Sequence, residues 1–160
     1  GDRLVEKLGS YPFRNNEGAF ELHVFRSILD DRLHYALSLG TPGPEPTLVR
    51  VHREHVLRDA LGGGADRGSR PLNLALKRIA EGGRGILLYL SQPNGGVNVD
   101  ALSEGKATEQ PKMDFRDYGI GAQIMVQLGV KEIRLLSSRS RNVVGLEGFN
   151  LKIVEQVDLR

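Results

Sequence analysis

PLNLALKRIAEGGRGILLYL, Pro71–Leu90, is the stretch on which the fold reading turns. Pro71 suits a first helical turn, where its missing N–H costs nothing. Leu72, Leu74–Leu76 and Ile79–Ala80 then recur with helical spacing and make a broad apolar face. The spacing predicts a helix over 71–81, ended by Gly82-Gly83. Gly85–Leu90 follows as an unbroken apolar run of strand length, which reads as a buried strand.

Upstream, Thr47–His52 (TLVRVH) is β-branched and reads as a strand. Between it and the helix lies RVHREHVLRDALGGGADRGSRPL, Arg50–Leu72, with two histidines, several carboxylates and three consecutive glycines. Such a mixture suggests a site. Imidazole and carboxylate groups bind metals and move protons, and the glycines give the backbone room. Glu17–Arg26 alternates Ala19, Glu21, His23, Phe25 against Phe20, Leu22, Val24, as a strand does. Asp30-Asp31 marks a hairpin-like break before a strand at Leu33–Leu39. Thr41–Pro46, with three prolines, is a loop. Residues 1–16, ending Tyr-Pro-Phe-Arg-Asn-Asn, read as a linker and turn, leaving 17–160 as the folded domain.

Downstream, Ser91–Lys112 has almost no apolar period and reads as a long functional or disordered loop. Phe115–Leu128 is a second helix closed by Gly129, and Glu132–Leu136 a strand. Ser137–Asn142 is a polar turn, Val143–Gly148 a short helix and Leu151–Val157 a last strand. Strands dominate the first third and strand–helix alternation the rest. That is a mixed α/β (α+β) domain, a mixed sheet with flanking helices.

Composition narrows the function. The 160 residues include 39% hydrophobic and 26% charged residues, which is ordinary for a globular domain. No apolar run nears the ~18 residues that span a bilayer. A net charge of +2, with few aromatics and none interleaved among the basic residues, ranks nucleic-acid binding last. With no cysteine there is neither a disulfide framework nor a thiolate metal site. The start GDRLVEKL has no apolar signal core and no initiating methionine. It reads as a piece of a longer chain, with the cytoplasm as the default compartment.

Five segments together resemble GTP cyclohydrolase II. They are RVHRE at Arg50–Glu54, IAEGGRGILLYL at Ile79–Leu90, FRDYGIGAQI at Phe115–Ile124, LGVKEIRLL at Leu128–Leu136 and GLEGFNLKIVEQV at Gly145–Val157. Their order and spacing agree over residues 17–158. The resemblance implies that family's fold and a role in riboflavin biosynthesis. It also implies a homodimer and a partner 3,4-dihydroxy-2-butanone 4-phosphate synthase domain in the same polypeptide. The family opens the imidazole ring of GTP and releases formate and pyrophosphate. Its zinc, held by three cysteines in C-x₁₀-C-x-C, lowers the pKa of bound water. Those three positions fall here on His55, Asp66 and Gly68. No metal or other cofactor is therefore expected.

Other family positions are partly kept. The resemblance assigns substrate contacts to Arg50, His52, Glu54 and Gln92. Around Gln92 the family's RQEGRGIGL becomes SQPNGGVNV, with Ser91, Pro93 and Gly95 in place of Arg, Glu and Arg. The segment bearing the family's catalytic tyrosine is missing. Asp114 and Arg116 fall on the family's catalytic Asp and Arg, although Asp114 also sits where a helix N-cap belongs. Ser137, Arg139 and Arg141 lie where the family contacts GTP, and a Ser/Arg turn can equally be a solvated basic turn. Three readings remain. The first is a catalytically degenerate domain with a structural, dimerising or regulatory role. The second is a hydrolase acting on GTP or another phosphorylated substrate through Asp114, Arg116 and a non-cysteine metal site. The third is a nucleic-acid module.

Overall fold

Adjacent residues of the strand Gly85–Leu90 serve two different cores. Ile86, Leu88 and Leu90 join one apolar cluster, while Leu87 joins another. This follows from the two-residue period of a strand with both faces covered. The computed structural model describes residues 2–63, 70–106, 112–137 and 150–160.

The sheet has seven strands in the order β1-β2-β3-β5-β4-β6-β7. These are β1 Val5–Asn15, β2 Gly18–Ser27, β3 Leu33–Leu39, β4 Thr47–Arg53, β5 Gly85–Leu90, β6 Glu132–Ser137 and β7 Lys152–Asp158. The first three pair antiparallel, and β3 pairs antiparallel with β5. Strands β5, β4, β6 and β7 run parallel. The helices are α1 Val56–Asp59, α2 Pro71–Gly82, α3 Val99–Ser103 and α4 Phe115–Gln127. Residues of α2 pack into the cluster containing Phe20, Leu48 and Leu87. Residues of α4 pack into the cluster containing Phe25, Val49 and Leu88. The chain steps from β4 to β5 through α2, then back across β4 to β6 through α4. Right-handed crossovers in opposite directions place their helices on opposite faces, as observed.

The expected strands and both long helices are present. Gly83 ends α2 in the left-handed conformation, with φ 76°. The reading of 1–16 as a linker fails from Val5 onward. Val5–Asn15 is an edge strand paired with β2 along its length. Its outward side chains are exposed and a bulge between Lys7 and Gly9 breaks its alternation, so no period survives in the sequence. Asn15 closes the hairpin by accepting from the amides of Glu17 and Gly18, at 2.8 and 3.2 Å. Buried His23 sits between Ser10 and Ser38, 2.8 Å from each hydroxyl, and so joins β1, β2 and β3.

The described residues after β5, up to 106, are more ordered than the composition suggests. A 3₁₀ turn spans Pro93–Gly96, and α3 begins where Asn98 caps the Asp100 amide at 3.0 Å. The short helix expected at Val143–Gly148 lies outside the described residues.

Candidate functional site

Open parallel sheets bind ligands beyond the carboxyl ends of strands whose connections leave to opposite faces. Here that place is between β4 and β5. After Arg53 the chain turns toward α2, and after Leu90 it turns toward α4. His52, Glu54, His55 and Gln92 all lie at this end.

On the α2 side, Asp59 gathers three donors. His52 Nε2 donates to Oδ1 at 2.9 Å. The His55 amide and the Tyr89 hydroxyl donate to Oδ2 at 3.0 and 2.8 Å. The single turn of α1 brings Asp59 back toward β4, and cross-strand register sets Tyr89 beside His52. Their rings stack with centroids 5.3 Å apart. Burial opposes ionisation of Asp59, but its hydrogen bonds, led by His52, hold the carboxyl below the usual carboxylate range. Burial, then the neighbouring Asp59 carboxylate, pushes the Tyr89 hydroxyl up. His55 is 5% exposed, and its Nδ1 has no hydrogen-bond partner among the described residues.

On the α4 side, Asp117 is the hub. Arg53 Nε donates to Oδ2 at 3.0 Å and Gln92 Nε2 to Oδ1 at 3.0 Å. The Asp114 amide reaches Oδ2 at 3.2 Å, and the Asp117 amide returns a bond to Asp114 Oδ1 at 2.8 Å. Asp114 and Asp117 thus form a reciprocal capping box. Burial opposes ionisation of Asp114, but the Asp117 amide and other local contacts hold its pKa down. The Gln92 amide donates to Glu54 Oε1 at 2.8 Å, which ties the two loops together. Gly96, at φ 81°, closes the turn onto β4, and a Cβ there would collide with the Glu54 carbonyl oxygen.

The sequence-expected residues are therefore only partly convergent. His52, Glu54, His55, Gln92 and Asp114 lie at the carboxyl ends of β4 and β5, linked through Asp59 or Asp117. Buried Arg50 lies on β4, with Nη1 3.4 Å from the Leu136 carbonyl. Arg116 turns to Asp30 in the β2–β3 turn, at 3.2 Å. Ser137 ends β6, and its carbonyl accepts from the Leu159 amide at 3.0 Å. Asp66, Gly68, Arg139 and Arg141 lie outside the described residues. Sequence reasoning missed Tyr89, Arg53 and Asp117 as members, and had Asp59 only among the carboxylates of the Arg50–Leu72 stretch. The four-residue spacing from His55 to Asp59 and the Asp-x-x-Asp at a helix start were the available signals.

A three-thiolate zinc does not fit these residues. The chain has no cysteine, and Gly68 offers no side-chain donor. Both Asp59 oxygens and His52 Nε2 are already engaged. Among the described residues no cluster of three His, Cys, Asp or Glu could hold a metal.

The seven-stranded mixed sheet with flanking helices defines an α+β domain, and comparison makes the class specific. A family model described as GTP cyclohydrolase II matches residues 6–158, and the chain belongs to that family. It is 35% identical over 175 residues to the riboflavin biosynthesis protein RibBA of Synechocystis sp., covering 99% of this chain and 31% of that protein. RibBA of Bacillus subtilis is 36% identical over 172 residues, covering 98% of this chain and 43% of the relative. The chain thus spans well under half the length of these curated relatives. The crystal structure of RibBX, a two-domain 3,4-dihydroxy-2-butanone 4-phosphate synthase from A. baumannii, superposes with a TM-score of 0.66 at 31% identity. That match covers 98% of this chain and 41% of RibBX. Among the described residues no helix is long and apolar enough to cross a membrane.

Proposed function

We propose that this chain is a GTP cyclohydrolase II-like domain that no longer opens the guanine ring. It acts as a structural or regulatory partner of a 3,4-dihydroxy-2-butanone 4-phosphate synthase domain in cytoplasmic riboflavin biosynthesis. The observation that carries this reading is the zinc motif. The resemblance puts the family's three cysteine positions on His55, Asp66 and Gly68, and the chain has no cysteine. The surroundings agree. Asp114 is spent on capping α4, and Arg116 is paired with Asp30. The two-domain organisation of RibBX, whose name states only synthase activity, is consistent with a second domain of this kind. Homodimerisation, and residual affinity for GTP or phosphate through Ser137, Arg139 and Arg141, belong to the same proposal.

The test is formate release from GTP by the purified chain, with zinc and magnesium supplied and a chelator control. Formate at background supports the proposal, and chelator-sensitive release overturns it. One observation favours a second reading. The His52–Asp59–Tyr89 cluster is a hydrogen-bonded set of titratable groups at the carboxyl ends of β4 and β5. Under that reading the domain hydrolyses GTP or another phosphorylated substrate, and Asp114→Ala or Arg116→Ala abolishes turnover.

A further inference from the structure

An antiparallel sheet with one wet face alternates apolar and polar residues, polar side out. Strands β1–β3 gather their apolar residues on a side where cover is incomplete. Residues directly opposite one another share a face. Register therefore places Tyr11 and Phe13 of β1 beside Leu22 of β2 and its neighbours, and Val24 beside Tyr35 of β3. This is the α2 side of the sheet, since Phe20 and Leu37 in the same rows join the α2 cluster. Yet among the described residues α2 packs chiefly on β5 and β4. Beyond its reach Tyr11, Phe13 and Leu33 are 52%, 41% and 37% exposed. Leu22, Val24 and Tyr35 are half-buried. The opposite face, around Phe25, holds buried His23, Ser27 and His34, while among the described residues this apolar face is only partly covered. Its charged pair, Glu6 and Arg26, is closed on itself. Such a face calls for an apolar counterpart.

Its size favours one occupant. Three strands ~4.8 Å apart, over about six residues each rising ~3.4 Å, give a flat area of about 300 Å². A freely associating pair needs about 800 Å² from each partner, whereas domains of one chain meet over a total as small as about 600 Å². Two facing patches of this size reach the second figure and fall short of the first. The relatives that this chain matches are longer by more than half their length.

Resting on the function proposed above, we propose that this partly covered β1–β2–β3 face is the docking surface for the synthase domain. The face continues through Tyr35 to Tyr89 in the next strand, so a docked domain borders the Asp59 cluster. Communication between the two domains then has a short physical route.

Amide chemical-shift mapping tests this, comparing the labelled chain alone with the same chain joined in one polypeptide to a 3,4-dihydroxy-2-butanone 4-phosphate synthase domain. Expected are shifts confined to residues 9–13, 20–26 and 33–37, and their loss in Tyr11→Glu and Leu33→Glu. Both sites are exposed enough for the variants to fold. Phe115→Glu, at a 92% exposed position at the start of α4, leaves the shifts unchanged. A footprint elsewhere overturns the surface and keeps the partner reading. No shift in the joined chain overturns both. If the chain alone runs at twice its 17.6 kDa mass and the two variants make it monomeric, the occupant is a second copy and the proposal fails.

Discussion

Arg53 and Asp117 meet 3.0 Å apart, and through them the end of β4 is fastened to the first turn of α4. The Asp117 side chain is only 8% exposed, and it also takes bonds from Gln92 and from the Asp114 amide. Removing one partner of a buried pair leaves the other uncompensated. Asp117→Ala is expected to cost about 3 kcal/mol, and Asp117→Asn, which keeps the shape, clearly less. Urea unfolding of the two variants checks the order.

Asp114→Ala removes an N-cap and is expected to cost about 1 kcal/mol. Arg116→Ala breaks a half-exposed pair with Asp30 and should cost less than about 1 kcal/mol. Neither variant should alter formate production if the domain is non-catalytic. Paired thermal melts and a formate assay separate a stability role from turnover.

Added zinc should not stabilise the chain. A ligand present at a hundredfold excess over its Kd adds about 2.7 kcal/mol to a folded state that binds it. Melting temperatures with zinc, without zinc and with chelator are expected to coincide. A chelator-reversible rise would show that the folded chain binds metal after all, and its loss in His55→Ala would place His55 among the ligands.

Stability should fall in mild acid because of His34. Burial, reinforced by Arg32 and Arg116 against the opposing Asp30, pushes this imidazole down from 6.5 to about 4. Its Nδ1 accepts from the Ser91 amide at 3.1 Å. The unfolded chain takes up the proton first, so stability is full above about pH 6.5 and declines as pH drops toward 4. The loss attributable to His34 is about 3 kcal/mol at most. The lowered carboxyls of Asp59 and Asp114 add losses below their ordinary range. His34→Gln should flatten the slope between pH 6.5 and 4 in denaturant titrations.

How far the sequence could be read depends on what each residue faces. The α2 helix, the buried β5 and the capping position of Asp114 were legible because local pattern and tertiary role agree there. Strand β1 was not, because an edge strand with a bulge shows no clean period. Among site residues, His52 and His55 stood out by chemical type. Asp59 and Tyr89 did not, since their meeting depends on a turn of α1 and on the register of β5 against β4. Arg116 was found by position, but only the fold shows that it faces Asp30.

The first residues of the chain are wired to α4. The Leu4 amide donates to Gln123 Oε1 at 2.7 Å, Gln123 Nε2 donates to the Asp2 carbonyl at 2.8 Å, and Val5 is wholly buried in the α4 core. Tension applied at residue 2 would load that helix before it reached the rest of the sheet. At the helix's other end the load would meet the Asp117 anchor. A pull on residue 2 would thus have a bonded route through Gln123 and α4 to Asp117, the residue that holds Gln92.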